Sequence, residues 1–154
     1  MHLTDGDRIR GLLGTYCRLI DAGDFDGVGE LMSRAVLRDE SGQIVATGAR
    51  EVATLYRATV RLQKDETPGT QHVVGNTTFD EPADDGTVTA RSSYVVLQAV
   101  GDRVPLQPIV TGDYVDTFAQ DQDGAWHFTE RRFRIGRTGD LSRHLRYNAT
   151  EGLP

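Results

Sequence analysis

Four long β-strand patterns fill the second half of the chain, and they constrain the fold more than any other feature. They span residues 71–79, 87–100, 106–120 and 125–135. The segments between them are rich in Asp and Gly, which is typical of the turns of antiparallel hairpins. These turns read Asp84-Asp85-Gly86, Gly101-Asp102 and Asp121-Gln122-Asp123-Gly124. We therefore predict that this half forms one antiparallel sheet.

Helical patterns fill most of the first half, where apolar residues recur every three or four positions. The three patterns run from a Thr4 cap to Gly23, from an Asp24 cap to Met32, and over residues 49–63. Two short strand patterns, residues 35–40 and 43–47, flank Ser41-Gly42 and predict a small hairpin before the third helix.

Helices followed by strands predict an α+β fold rather than an alternating α/β fold. We expect three N-terminal helices packed on a strongly curved antiparallel sheet, which makes a cone-shaped α+β barrel. The length of 154 residues fits a single domain over residues 1–154. The open mouth of such a cone is where a ligand site is expected.

The composition excludes several classes of partner. A formal net charge of −6 argues against nucleic acid or an anionic membrane as a partner. Cys17 is the one cysteine, so the chain has no internal disulfide and no cysteine-based metal site.

The N-terminus lacks the basic and apolar regions of a signal peptide, and no apolar run approaches the roughly 18 residues of a membrane span. We expect a cytoplasmic protein.

Several short motifs occur in a characteristic order along the chain. They are Asp21-Ala22-Gly23-Asp24-Phe25-Asp26, Gly48-Ala49-Arg50-Glu51, Thr70-Gln71-His72, Asp123-Gly124-Ala125-Trp126 and Gly139-Asp140-Leu141-Ser142-Arg143-His144-Leu145. In this order and spacing the chain resembles the SnoaL-like branch of the nuclear transport factor 2-like superfamily. The resemblance extends from about Thr4 to Leu145, and it implies the same cone-shaped fold.

Asp21 and His72 are the candidate catalytic residues. Scytalone dehydratase and hexachlorocyclohexane dehydrochlorinase, two enzymes of that superfamily, use an aspartate near the end of the first helix and a histidine at the start of the first long strand. The resemblance implies that Asp21 and His72 form the same pair. An imidazole held by a carboxylate is a candidate general base near neutral pH. A carboxylate at a helix C-terminus also needs a compensating partner, which His72 can supply.

Three departures from the dehydratase make scytalone itself an unexpected substrate. A tyrosine on its early hairpin has no counterpart here, where Asp39 and Glu40 occupy that region. Ile20 stands where the dehydratase has a tyrosine. The strand segment Tyr94-Val95-Val96-Leu97-Gln98 contains no second histidine. The Asp–His pair is the part of the dehydratase site that remains.

Five further residues are candidates for binding a substrate. Asn76 follows His72 by four strand positions, so both side chains are expected on one face of the sheet. Tyr16 and Tyr56 lie on apolar helix stripes, where each can bring a hydroxyl to the cavity rim or simply pack in the core. Tyr94 can orient a ligand or pack in the core, and Arg132 can bind an anionic group if it points inward.

Metal and cofactor sites are not expected. His72, His127 and His144 lack metal-ligand spacing such as His-Glu-x-x-His. The Asp121-Gln122-Asp123-Gly124 segment resembles part of a calcium loop but is not followed by the required glutamate. The chain also has no Gly-rich phosphate loop.

The sequence therefore favours a cofactor-independent lyase or isomerase that removes a proton from a small, hydrophobic, cyclic molecule. One alternative is a non-catalytic module that binds a small molecule or a protein. Another is a polyketide-cyclase-like enzyme in which Asp113 or Asp116 acts instead. The uncovered face of the sheet predicts a homo-oligomer, with a dimer as first choice and a trimer as second.

Overall fold

A computed structural model of the chain describes residues 1–147, which form three helices and six strands. The helices are α1 (Asp5–Asp21), α2 (Phe25–Leu31) and α3 (Gly48–Thr59). The strands are β1 (Val36–Arg38), β2 (Ile44–Thr47), β3 (Thr70–Phe79), β4 (Val88–Val100), β5 (Val104–Gln120) and β6 (Trp126–Thr138). Within this part of the chain, no helix is long and apolar enough to cross a membrane.

The predicted caps begin the first two helices. Thr4 and Asp7 form a capping box at α1, in which each side chain accepts a hydrogen bond from the other residue's backbone N–H, at 3.0 and 3.2 Å. Asp24 caps α2 by accepting from the backbone N–H of Gly27 at 2.8 Å. The sequence therefore fixes both starting points through side chains that bond otherwise unpaired backbone groups.

The end of α3 differs from the prediction, because the helix stops at Thr59 instead of continuing to residue 63. Val60 adopts extended backbone and forms an isolated β-bridge with Leu145. This bridge holds residues 141–147, which we call the C-terminal turn, against the end of α3. The turn predicted around Leu141 to Leu145 is present, since the N–H of Leu145 bonds the carbonyl of Leu141 at 2.9 Å.

All six strands belong to one sheet, in the order β2-β1-β6-β5-β4-β3. Four neighbouring pairs are antiparallel, as predicted, but β1 and β6 are parallel. The predicted α+β fold with three helices packed on one sheet is confirmed, and the single parallel pair makes the predicted antiparallel sheet a mixed one. The parallel pair arises because the early hairpin joins the last strand, and the long stretch of chain between them can make the crossover that parallel pairing needs.

The sheet bends because several of its strands contain irregularities in pairing. Register shifts interrupt β3 between Gly75 and Thr78, and β5 between Val110 and Gly112. Such bulges increase the local twist and bend a strand. The helices pack on one face of this sheet, and the shared core contains the following buried side chains: Ile9, Leu13, Ile20, Val28, Val52, Ala90, Val96, Phe118 and Phe128.

Candidate active site

An apolar cavity of about 110 Å³ lies between the helices, the sheet and the C-terminal turn. One water needs roughly 10–15 Å³ of comparable volume, so the cavity has room for a small organic molecule. Its wall is mainly aliphatic and aromatic, with a few polar groups. The lining side chains that carry polar groups are Tyr16, Tyr56, Thr59, His72, Tyr94, Tyr114, Arg131, His144 and Tyr147.

Asp21 is the last residue of α1, and its carboxylate accepts three hydrogen bonds from β3. Oδ1 accepts from the hydroxyl of Thr70 at 2.8 Å and from Nδ1 of His72 at 2.6 Å. Oδ2 accepts from the backbone N–H of His72 at 2.8 Å. These donors offset the unfavourable position of a negative charge at a helix C-terminus. They also fix the carboxylate relative to the start of β3.

His72 lines the cavity, and its contact with Asp21 occupies Nδ1 and leaves Nε2 as the second ring nitrogen. Its side chain is 6% exposed, and the ring of Tyr16 lies edge-on to it at a centroid distance of 6.1 Å. Because an ionised carboxylate only accepts hydrogen bonds, Nδ1 carries the proton in the contact with Asp21. Nε2 then has a free lone pair in the neutral ring. A ring held in this tautomer can accept a proton from a molecule in the cavity.

Three predicted tyrosines line the cavity. The hydroxyls of Tyr16 and Tyr56 lie 3.1 Å apart and share a hydrogen bond. Tyr94 stacks on Tyr114 at a centroid distance of 4.4 Å, and its hydroxyl donates to the carbonyl of Arg134 at 3.2 Å. Burial raises the pKa of Tyr16, Tyr56 and Tyr94 above that of a free phenol. These side chains are therefore neutral near pH 7 and can donate or accept hydrogen bonds.

Asn76 does not share a face with His72, so the expected alignment is wrong. Asn76 has a positive φ of 52° and lies in the irregular stretch of β3 between Gly75 and Thr78. A bulge adds a residue to one strand and reverses the alternation of side chains beyond it. Asn76 is consequently exposed and is absent from the cavity wall.

Arg132 is exposed on the outer face of β6, and the preceding residue Arg131 takes the inward position instead. Arg131 is buried beside Asp116 of β5, with Nε–Oδ1 and Nη2–Oδ2 distances of 2.7 and 2.8 Å. Its guanidinium also lies 4.2 Å from the ring centroid of Tyr16 and 4.0 Å from that of Tyr114. The sequence prediction chose the wrong one of two adjacent arginines.

The Arg131–Asp116 contact is a buried, bidentate ion pair. Burial opposes the charged form of Arg131, but the carboxylate of Asp116 outweighs this effect and raises the pKa of the guanidinium. Burial raises the pKa of Asp116, and the hydrogen bonds from Arg131 act against that shift. Both groups are charged, because a guanidinium does not deprotonate in proteins and its two hydrogen bonds favour the carboxylate form of Asp116. Nη1 of Arg131 is buried and has no hydrogen-bond partner within residues 1–147.

The two acids of the cyclase-like alternative do not line the cavity. Asp113 pairs with Arg134 on the exposed face of the sheet. Asp116 uses both carboxylate oxygens in its contact with Arg131. Neither carboxylate is placed to act as a base on a molecule in the cavity.

His144 is a cavity residue that the sequence prediction treated only as a possible metal ligand. It lies in the C-terminal turn and is 6% exposed, with its ring centroid 6.4 Å from that of His72. Burial, together with the neighbouring His72, lowers the pKa of His144 to about 4. Among residues 1–147, no group of three or more His, Cys, Asp or Glu side chains is arranged to hold a metal ion.

The protein has the nuclear transport factor 2-like fold. Its helices cover one face of a curved mixed sheet, and the Asp21–His72 pair lies at an apolar cavity between them. The model of the SnoaL-like domain matches residues 1–132, and the chain therefore belongs to the SnoaL-like domain family. No curated protein matches it in sequence.

Solved structures of similar fold are distant in sequence. An NTF2-like protein with a cystatin-like fold from Novosphingobium aromaticivorans is 23% identical, with a TM-score of 0.67, 90% of this chain covered and 86% of the other. A scytalone dehydratase-like protein from the same organism is 20% identical, with a TM-score of 0.66 and coverages of 88% and 87%. ActVI-ORFA from Streptomyces coelicolor is 17% identical, with a TM-score of 0.66 and coverages of 83% and 94%. At these identities the likeness establishes the fold alone.

Proposed function

We propose that this chain is a cofactor-independent lyase or isomerase that removes a proton from a small, hydrophobic, cyclic molecule. The observation that carries the proposal is the 2.6 Å contact between Asp21 and Nδ1 of His72, at the wall of an apolar cavity. This contact leaves Nε2 of His72 as the base. Proton removal from carbon begins eliminations of water or halide and shifts of a double bond.

In the proposed step, His72 accepts the proton and becomes an imidazolium ion. Asp21 stabilises that ion, and its three hydrogen bonds prevent the carboxylate from turning away. A well-placed general base of this kind contributes roughly 10²–10⁴-fold to the rate. The side chains of His72 and Asp21 are 6% and 19% exposed, and this partial removal from water strengthens the electrostatic interaction within the pair.

The negative charge that develops on the substrate also needs stabilisation. Arg131 lines the same cavity, and Nη1 has no partner within residues 1–147. Because Asp116 and the aromatic rings of Tyr16 and Tyr114 already hold the guanidinium, little reorganisation is needed when charge appears. Preorganised positive charge in a dry site is among the most effective forms of catalytic stabilisation.

Membership of the SnoaL-like domain family and the fold shared with a scytalone dehydratase-like protein support an enzymatic role. The differences at Ile20 and in strand β4 point to a substrate other than scytalone. The size and apolar wall of the cavity support a compact, largely hydrophobic substrate.

The test is exchange of the α-protons of cyclohexanone in heavy water, followed by proton NMR. We expect the wild-type protein to accelerate exchange over buffer, and His72→Ala to lose roughly 10²–10⁴-fold of that acceleration. His127→Ala is the matched control, because His127 lies on β6 away from the cavity wall. Equal exchange by wild type and His72→Ala would overturn the proposal.

The rival is a binding module without chemistry. The largely apolar lining of the cavity suits it equally well. Saturable binding of cyclohexanone by wild type, with exchange no faster than in buffer, would favour the binding module.

A further inference from the structure

The C-terminal turn carries a second imidazole to the cavity, and the proposed base does not use it. His144 is buried, lines the same cavity as His72, and lies within 6.4 Å of it between ring centroids. Its Nδ1 is buried without a hydrogen-bond partner within residues 1–147. A buried polar atom without a hydrogen-bond partner is unfavourable, and a ligand that supplies the partner removes that penalty.

His144 is held firmly, although it lies near the end of the described chain. The backbone carbonyl of His144 accepts from the N–H of Arg61 at 2.7 Å, and the N–H of Arg146 donates to the carbonyl of Thr59 at 2.8 Å. The buried side chain of Gln98 donates to the neighbouring carbonyl of Arg143 at 3.2 Å. These contacts fix the backbone of the turn that carries the imidazole before any ligand enters.

The charge state of His144 limits its chemistry. Because burial and the nearby His72 lower its pKa to about 4, the ring is neutral near pH 7. A neutral imidazole has one N–H donor and one lone pair. It is a poor source of a proton but a good hydrogen-bond donor to an oxygen atom. His144 and His72 therefore have different tasks, because only His72 has a carboxylate partner.

We propose that His144 donates a hydrogen bond to the carbonyl oxygen of the substrate while His72 removes a proton from the adjacent carbon. The C–H electron pair becomes the C=C bond of an enolate, the carbonyl π pair moves to oxygen, and the proton moves to Nε2 of His72. The inference rests on the proposed function and narrows its substrate class to cyclic compounds with an enolisable carbonyl group.

The test compares two probes of nearly equal shape, cyclohexanone and methylenecyclohexane. In the second compound a CH2 group replaces the carbonyl oxygen of the first. Calorimetric or NMR titration is expected to give tighter binding of the ketone by wild type. His144→Leu should weaken ketone binding roughly tenfold and leave alkene binding unchanged, a loss typical of one hydrogen bond. Arg143→Ala is the matched control, since that side chain is exposed on the same turn.

Conservative replacements separate hydrogen bonding from packing. His144→Asn keeps a donor near the Nδ1 position and His144→Gln keeps one near Nε2, so one of them should restore the preference for the ketone. Restoration by neither would mean that the ring acts only as a packing group, and it would overturn the inference.

The two proposals fail in different ways. His72→Ala should lose the acceleration of proton exchange but keep the preference for the ketone over the alkene. If His144→Leu keeps that preference, or if wild type binds the two probes equally or not at all, the assignment of His144 is wrong. The Asp21–His72 proposal would be rejected separately, by proton exchange that survives His72→Ala.

Discussion

Breaking the Arg131–Asp116 pair should destabilise this protein more than any other single ion-pair change, and Asp116→Asn is the variant that tests it. The two side chains are 1% and 0% exposed. Asparagine matches the shape of aspartate, so the change removes the negative charge and leaves the guanidinium buried and uncompensated. Removing one partner of a buried pair typically costs about 3–5 kcal/mol.

The matched control lies on the same two strands. Asp113 faces Arg134 across β5 and β6 just as Asp116 faces Arg131, but the side chains of this second pair are 40% and 56% exposed. An exposed pair contributes only about 0.2–1 kcal/mol. Asp113→Asn should therefore change the free energy of unfolding by less than about 1 kcal/mol. The two variants differ chiefly in the burial of the charge.

Urea denaturation followed by circular dichroism measures both losses. With an m-value of roughly 2 kcal/mol per molar, a loss of about 4 kcal/mol lowers the unfolding midpoint by about 2 M. A total stability of about 5–15 kcal/mol leaves the variant folded enough to measure unless wild type is at the low end. Equal losses for Asp116→Asn and Asp113→Asn would refute the assignment of a buried ion pair.

Three further predictions concern pH, packing and assembly. A histidine of the unfolded chain protonates near pH 6.5, whereas His144 in the folded protein protonates only near pH 4. The free energy of unfolding should therefore fall by up to about 3 kcal/mol as the pH drops from 6.5 to 4. Thermal melts in which His144→Leu shows the same decline as wild type would contradict this. Gly112→Ala should lower the free energy of unfolding by about 1–3 kcal/mol in chemical denaturation, because a Cβ would collide with the carbonyl of Arg134 and the ring of Tyr94. Gly86→Ala is the comparison variant, because a Cβ at Gly86 meets no atom and tests only the strain of a positive φ. We also predict a homodimer formed through the outer face of the sheet, where Val73 is 44% exposed. Light scattering that detects only a 17.0 kDa species would exclude this dimer.

The order of the elements and their caps could be predicted because local sequence determines them. Thr4 and Asp24 provide the hydrogen bonds that start their helices, and the Asp-Gly turns separate the long strands. The parallel pairing of β1 with β6 could not be obtained in this way. It depends on which edge strand the early hairpin meets, and that is a property of the whole sheet.

The errors at the site have two physical causes. Asn76 was misplaced because strict alternation fails across a bulge, although a signal was present, since a Gly-Asn pair inside a strand pattern is typical of such an irregularity. Arg131 was missed although the signal was present, since Arg131 alternates in phase with the apolar residues Phe133 and Ile135. An inward pair of apolar side chains predicts an inward arginine two positions earlier.

His144 illustrates a contact that sequence patterns cannot supply. Its position depends on the bridge between Val60 and Leu145, which joins the end of α3 to a distant turn. The histidine stands one position before Leu145 in a turn that also contributes Leu141 to the cavity. Those neighbours mark an inward-facing turn, but only the tertiary bridge brings the ring beside His72.

Stability alone does not explain why the charged side chain of Arg131 lines the cavity, and a double replacement of Arg131 and Asp116 tests this point. Exchanging a buried ion pair for apolar residues of similar size is often neutral or stabilising by about 1–4 kcal/mol. Asp116→Val combined with Arg131→Met should therefore recover most of the stability that Asp116→Asn loses. The same double variant should still lose the proton exchange of cyclohexanone, because the cavity then lacks its fixed positive charge. A double variant that is stable and exchanges as fast as wild type would mean that Arg131 has only a packing role, and His72 would then need its charge stabilisation from elsewhere in the cavity.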